Sequence, residues 1–208
     1  NISMSNGNIL DQSRVERVIP TINFLKSSGA KIVICSHLGR PNGKYNKNYT
    51  LKPLVEILSN ILETNVRFSN SCLGQEALEI KTSLKAGEIL LLENVRFHEE
   101  EINNSLSFAK KLSEGCDLFV NDAFSCSHRA HSSLHAITNF LPSYSGKLMD
   151  EEIKALTSVL SSPIKPVAAL VGGAKISSKI NIIEYLITKM DYLIIGGAMA
   201  VSYTHLTL

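Results

Sequence analysis

Lys31-Ile32-Val33-Ile34-Cys35-Ser36-His37-Leu38-Gly39-Arg40-Pro41 decides how the rest of the chain is read. Ile32 to Cys35 is an unbroken apolar run, the pattern of a strand buried on both faces within a parallel sheet. It gives way to an imidazole, a glycine, a guanidinium and a proline. Gly39 permits a sharp turn, and Pro41 keeps the strand from continuing. Open α/β sheets meet their ligands beyond the carboxyl ends of their strands, which is where His37 and Arg40 stand. A single loop of this kind reads as a solvated turn, so its meaning depends on how the other strands end.

They end alike. Thr50 is placed to cap a helix over 51–63, with Leu54, Ile57, Leu58 and Ile61 facing inward. A strand over 66–68 and a helix over 73–84 lead to Ile89-Leu90-Leu91-Leu92, a second buried strand followed by Glu93-Asn94-Val95-Arg96-Phe97 and an acidic stretch over 99–101. Ser105 opens the next helix, and Leu118-Phe119-Val120 is a strand that runs into Asn121-Asp122-Ala123-Phe124-Ser125-Cys126-Ser127-His128-Arg129-Ala130-His131. Arg40, Arg96 and Arg129 therefore each follow an apolar strand. Alternating strands and helices build a parallel sheet and bring those ends to one edge. Converging guanidinium forks repel one another without an anion between them. Isolated surface ion pairs, worth ~0–1 kcal/mol each, would not explain the shared position.

Upstream, Ser5-Asn6-Gly7-Asn8 has turn chemistry. Asp11 or Ser13 is placed to cap a helix reaching about Ser28, with Val15, Val18, Ile19, Ile22 and Leu25 on one face, a kink at Pro20 and a stop at Gly29. Arg14 falls in its first turn, where a cation opposes the helix dipole; an anion near this helix start would resolve the conflict.

The totals set bounds. With 208 residues, 44% apolar and 19% charged, the chain is globular and long enough for one large domain or two small ones. A net charge of +2 predicts neither a nucleic-acid nor a membrane partner. Cys35, Cys72, Cys116 and Cys126 are scattered and read as reduced thiols of a cytoplasmic protein. No signal peptide or bilayer-spanning run is visible, and a native start is expected before Asn1. Cys126, His128, His131 and His135 match no usual structural zinc spacing, and Arg129 lies among them, so no metal is assigned there.

Ser143-Tyr144-Ser145-Gly146 breaks the strand–helix alternation, and 150–160 reads as a helix with Ile153, Leu156, Val159 and Leu160 apolar. A stiff, proline-containing stretch over 161–166 follows, and the domain boundary is expected across this helix. Beyond it a strand over 167–171 turns at Gly172-Gly173-Ala174-Lys175-Ile176-Ser177-Ser178-Lys179 into a helix. A strand over 192–195 then ends in Gly196-Gly197-Ala198. Glycines at a strand-to-helix turn present backbone N–H groups to phosphate, although this stretch is neither Gly-x-Gly-x-x-Gly nor a Walker motif.

Taken together, Ser36–Pro41, Leu91–Phe97, Val120–Phe124 with His128–His131, and Gly172–Lys175 with Lys179 resemble phosphoglycerate kinase, in the same order and over almost the whole chain. The resemblance implies a phosphoglycerate kinase-like, Rossmann-like three-layer α/β fold: a parallel sheet with helices on both faces, and a second domain that is truncated. Its domains would be a phosphoglycerate-binding domain over 1–145, an interdomain helix and linker over 146–163 acting as a hinge, and the start of a nucleotide-binding domain over 164–208. It implies reversible phosphoryl transfer between 1,3-bisphosphoglycerate and ADP, giving 3-phosphoglycerate and ATP with Mg2+, in a cytoplasmic monomer. Asn1, Arg14, His37, Leu38, Gly39, Arg40, Arg96 and Arg129 would bind substrate. Gly173, Ala174, Lys175 and Lys179 would bind nucleotide, and Lys175 and Arg14 would be catalytic.

The departures from the family pattern carry expectations too. Asn1 matches the asparagine of an Asp-x-Asn motif whose aspartate would precede it, Ser3 stands for a proline, and Ala198 for a glycine. The stretch over 201–208 does not match and reads as a non-native tail. The metal-holding and adenosine-holding segments are expected outside this chain, which as written is expected to be inactive. Two other classes compete with this reading. A non-catalytic anion-binding module would keep only the basic patch, and a nicotinamide-dependent dehydrogenase would require the dinucleotide glycine pattern that is missing here.

Overall fold

The computed structural model describes residues 3–5, 8–161, 163–173 and 179–200, with side chains from residue 12 onward. The chain divides into two compact units, Asn1–Glu151 and Glu152–Leu208.

The first unit opens with β1 (Ser3–Ser5) and β2 (Asn8–Asp11), antiparallel with Met4 opposite Ile9 and Ser5 opposite Asn8. Two short helices follow, α1 (Ser13–Glu16) and α2 (Ile19–Ser27). One kinked helix was expected here; instead it is interrupted at Arg17 and Val18. Pro20 has no N–H to donate and sits in the first turn of α2, where none is needed. The residue at the start of α1 is Gln12, not Asp11 or Ser13, and its side chain makes no cap.

β3 (Ile32–Ile34), β4 (Val66–Ser69) and β5 (Ile89–Leu92) form a parallel sheet in the order β3-β5-β4, with Ile32 and Val66 both level with Ile89. The central strand explains its own composition. Ile89 and Leu91 pack with Val15, Ile22, Leu54 and Leu58 from α1, α2 and α3 (Leu54–Leu62). Leu90 and Leu92 pack on the opposite face with Ala77, Phe108 and Leu112 from α4 (Gln75–Ser83) and α6 (Leu106–Ser113). A strand covered on both faces has no polar positions, and β5 is 0–1% exposed throughout. Helices thus cover both faces of the sheet.

α3 starts at Leu54, later than its expected Thr50 cap, because Glu93 takes the Thr50 hydroxyl and the Leu51 N–H (2.8 Å) and turns 50–53 aside. α6 begins as expected, with Ser105 accepting from the Phe108 N–H at 3.4 Å. Between β5 and α6 lies α5 (Glu99–Ile102). β6 (Phe119–Asn121) pairs in parallel with β7 (Ser143–Ser145), Val120 level with Tyr144. The polar composition of 143–146 had read as a break in the pattern. Among the described residues β6 and β7 form a ladder of their own, so Arg129 follows a strand outside the three-stranded sheet.

α7 (Lys147–Ser161) carries the chain out of the first unit. Asp122 anchors its start, its Oδ1 accepting the Met149 N–H at 2.9 Å. In the second unit β8 (Ala168–Gly172) and β9 (Tyr192–Gly196) are parallel, Gly172 level with Gly196, and α8 (Ile180–Ile187) connects them.

Candidate functional site

Arg14, His37, Gly39, Arg40, Arg96, Ser125, Cys126 and Arg129 line one cleft of about 390 Å3. Arg14 comes from α1, and His37 to Arg40 from the turn after β3. Arg96 comes from the 3-10 turn Val95–Phe97 after β5, and Ser125 and Cys126 from the 3-10 turn Phe124–Cys126 after β6. Four guanidiniums and an imidazole therefore line the cleft, and among the described residues the lining holds no carboxylate.

The turn after β3 is fixed by sterics and hydrogen bonds. Gly39 has φ +63°, and a Cβ there would run into the Tyr49 ring. Its carbonyl accepts Arg96 Nη1 at 2.9 Å. Asn94, 1% exposed, ties the site together: Nδ2 donates to the carbonyls of Leu38 (2.8 Å) and Tyr49 (2.9 Å), and Oδ1 accepts the Arg96 N–H (3.0 Å). The loop after β3 and the turn after β5 are thereby held side by side.

Electrostatics mark the cleft as short of negative charge. Arg96 is 5% exposed, its Nε has no hydrogen-bond partner, and burial together with the Arg129 charge pulls its pKa below the usual arginine value. Burial, reinforced by the guanidiniums of Arg96 and Arg129, likewise pulls His37 well below its ordinary 6.5. The imidazole is neutral at pH 7. Glu101, which does not line the cleft but acts electrostatically on Arg96, is buried and accepts from Ser133 N–H (2.9 Å) and hydroxyl (2.7 Å), with His131 Nδ1 3.7 Å away. Burial raises its pKa, and those hydrogen bonds oppose the rise.

Six of the expected substrate residues thus meet in the cleft: Arg14, His37, Gly39, Arg40, Arg96 and Arg129. Leu38 does not join them. Its side chain is 5% exposed within the apolar core, so any role in binding falls to its backbone. Asn1 lies outside the described residues, as do Ala174 and Lys175. Cys126 and Ser125 line the cleft without having been assigned to it, since neither carries a charge that sequence reading could follow. His128, His131 and His135 have separate partners: Arg129 Nε (3.3 Å), Glu101 and Asn104 Nδ2 (3.0 Å) respectively.

In the second unit Gly172 and Gly196 end adjacent parallel strands, and Gly197 lies beside Gly173. Gly173 has φ +152°, and a Cβ there would meet Lys179 Cε at 3.0 Å and Met199 Sδ at 3.4 Å. The result is a floor of bare backbone at the carboxyl ends of two strands, with Lys179 against it. That chemistry fits a nucleotide's phosphates.

Comparison with known proteins places this architecture. The family profile described as Phosphoglycerate kinase matches residues 1–207. The phosphoglycerate kinase of Borrelia garinii subsp. bavariensis is 46% identical over 205 residues, covering 99% of this chain and 52% of the relative. That of Leptospira biflexa is 45% identical over 203 residues, covering 98% and 51%. Among solved structures, the phosphoglycerate kinase of Coxiella burnetii superposes with a TM-score of 0.85 at 38% identity, over 98% of this chain and 51% of the other. The Pyrococcus horikoshii enzyme gives 0.86 at 34%, over 98% and 52%. The chain spans about half the length of the curated relatives it matches.

Proposed function

The chain belongs to the phosphoglycerate kinase family, and from that premise we propose that its cleft is the 3-phosphoglycerate half of a site for reversible phosphoryl transfer between 1,3-bisphosphoglycerate and ADP. The observation that carries this reading is the gathering of four guanidiniums and a neutral imidazole in one cleft whose described lining holds no carboxylate. Phosphoglycerate has a phosphate at one end and a carboxylate at the other, and planar forks match both groups. Arg40, Arg96 and Arg129 bind and orient the anion. Gly39 lets backbone approach it, His37 donates or accepts one hydrogen bond without adding charge, and Arg14 stands at the cleft as a catalytic cation. Asn1 completes the substrate set.

Phosphoryl transfer asks a protein mainly for positioning and charge stabilisation. On this reading Gly173, Ala174 and Lys179 hold the phosphates of ATP or ADP, and Lys175 meets the charge that develops on the group in flight. Mg2+, when bound with the nucleotide, would supply further neutralisation of the phosphate charge. The protein acts in the cytoplasm, as a monomer, on soluble substrates. No described helix is long and apolar enough to cross a membrane.

Isothermal titration of the chain with 3-phosphoglycerate at low and moderate salt tests the assignment. Affinity is expected to fall as salt rises. Arg40→Lys and Arg129→Lys are each expected to weaken binding roughly tenfold or more, as a two-pronged contact becomes a point charge. Equal affinity in both variants would overturn it.

A further inference from the structure

The phosphoryl-transfer reading leaves one reactive group in the cleft unused. Cys126 ends the turn Phe124–Cys126, is 8% exposed, and lines the cleft together with Arg14, Arg40, Arg96 and Arg129. A cysteine sulfur is the nucleophile in thiol–disulfide exchange, and the guanidiniums around this one draw anionic reagents to it. Arg96 adds an independent sign that this wall is built to meet an anion, being 5% exposed with its Nε unpartnered. The remaining thiols differ. Cys72 is 1% exposed in the apolar core, while Cys35 is exposed and Cys116 half-buried, and neither lines the cleft.

We propose that Cys126 is a modification site for small anionic disulfides, which the cleft collects by charge. The Cys126 thiol gives its proton to solvent, and its sulfur attacks one sulfur of the bound disulfide. A new S–S bond forms as the reagent's own S–S bond breaks, and the other half leaves as a thiolate. Cys126 is oxidised to a mixed disulfide and the departing half is reduced, so no further oxidant is needed. An acidic tail then sits among the guanidiniums. The cleft therefore cannot be modified and hold another anion together, and each state excludes the other. This requires only that the cleft attract anions, whichever anion is its natural occupant.

The test uses the whole chain and two probes, dianionic dithiobis(nitrobenzoate) and uncharged dithiodipyridine. Rates are normalised to mercaptoethanol, and the labelled thiol is located by peptide mass mapping. Cys126 is expected to carry the nitrothiobenzoate. Its normalised preference for the dianionic reagent should be about tenfold or more at low salt, the scale of electrostatic steering into a charged cleft. Added salt should erase the preference, inorganic sulfate should slow labelling competitively, and Cys126→Ser should remove the charge-selective phase, leaving any labelling of other cysteines without it. Labelling confined to other cysteines, or equal normalised rates for the two reagents at Cys126, would overturn the proposal.

Discussion

A guanidinium as buried as Arg96, with an unpartnered Nε, carries a desolvation cost that the charge of Glu101 offsets only in part, since its pKa still lies below the usual arginine value, and that an anion in the cleft would offset further. Arg96→Met is accordingly expected to leave the ligand-free chain at least as resistant to urea as the parent, while 3-phosphoglycerate no longer binds. A loss of more than about 2 kcal/mol in the unfolding free energy would instead make Arg96 a structural residue. His37 gives a pH signature. Its folded pKa lies below the ordinary 6.5, so the unfolded chain takes up a proton that the folded chain refuses as pH falls below that value. Stability attributable to His37 is thus intact above pH 6.5 and is lost progressively as pH drops towards the folded pKa. His37→Asn should flatten that part of the stability–pH curve, and a bound anion should raise the His37 pKa in an NMR titration. The charged half of the cleft was legible in the sequence because an arginine after each of three apolar strands is a local pattern. Asn94 was not. Its value lies in reaching Leu38, 56 positions away, and no spacing rule encodes that contact. Leu38 was placed with the binding residues by its neighbours in the motif, but its side chain points to the core.

Among the elements, β5 shows why the fold was readable. Ile89-Leu90-Leu91-Leu92 offers alternate side chains to two separate apolar layers, and an unbroken apolar run is what such a strand requires. Leu90→Ala should cost about 2–5 kcal/mol, since the strand is clamped on both faces and has little room to collapse. What sequence missed were elements without that signal. β7 is three exposed polar or aromatic residues, held by pairing with β6 and not by its own burial. The pair β1–β2 flanks an Asn-Gly that was read as a turn without its strands. The break between α1 and α2 depended on whether Pro20 kinks a helix or restarts one, and both outcomes obey the same missing N–H. The start of α7 gives a sharper test. A Cβ at Gly146 would run into the Asp122 carboxyl group, whose Oδ1 accepts the Met149 N–H. Gly146→Ala should therefore unseat that cap and destabilise the first unit by about 1–3 kcal/mol in urea melts. A neutral result would mean that Asp122 is free to move.

Across the whole molecule, apolar burial is unevenly shared. The first unit holds two buried clusters around its sheet. In the second, Leu170 is 74% exposed, Tyr192 62%, Ile194 53% and Ile187 58%, and Ile183 and Met199 are its only buried apolar residues among those described. Among the described residues, a two-stranded ladder with so little buried surface has little to set against chain entropy, and its exposed strand edges invite association. The two units should therefore differ in local stability by several kcal/mol. In hydrogen-exchange mass spectrometry of the 208-residue chain, peptides covering Ile89–Leu92 should exchange slowest. Those covering Ala168–Gly172 and Tyr192–Gly196 should exchange orders of magnitude faster, and brief proteolysis should leave a core ending near α7. The same chain should bind 3-phosphoglycerate yet form no ATP from 1,3-bisphosphoglycerate and ADP in a coupled assay, because a nucleotide floor that opens this readily cannot hold a phosphoryl donor in line. Strong protection of β8 and β9, or turnover at a rate typical of kinases, would show that the second unit is stable on far less buried surface than such a ladder normally needs.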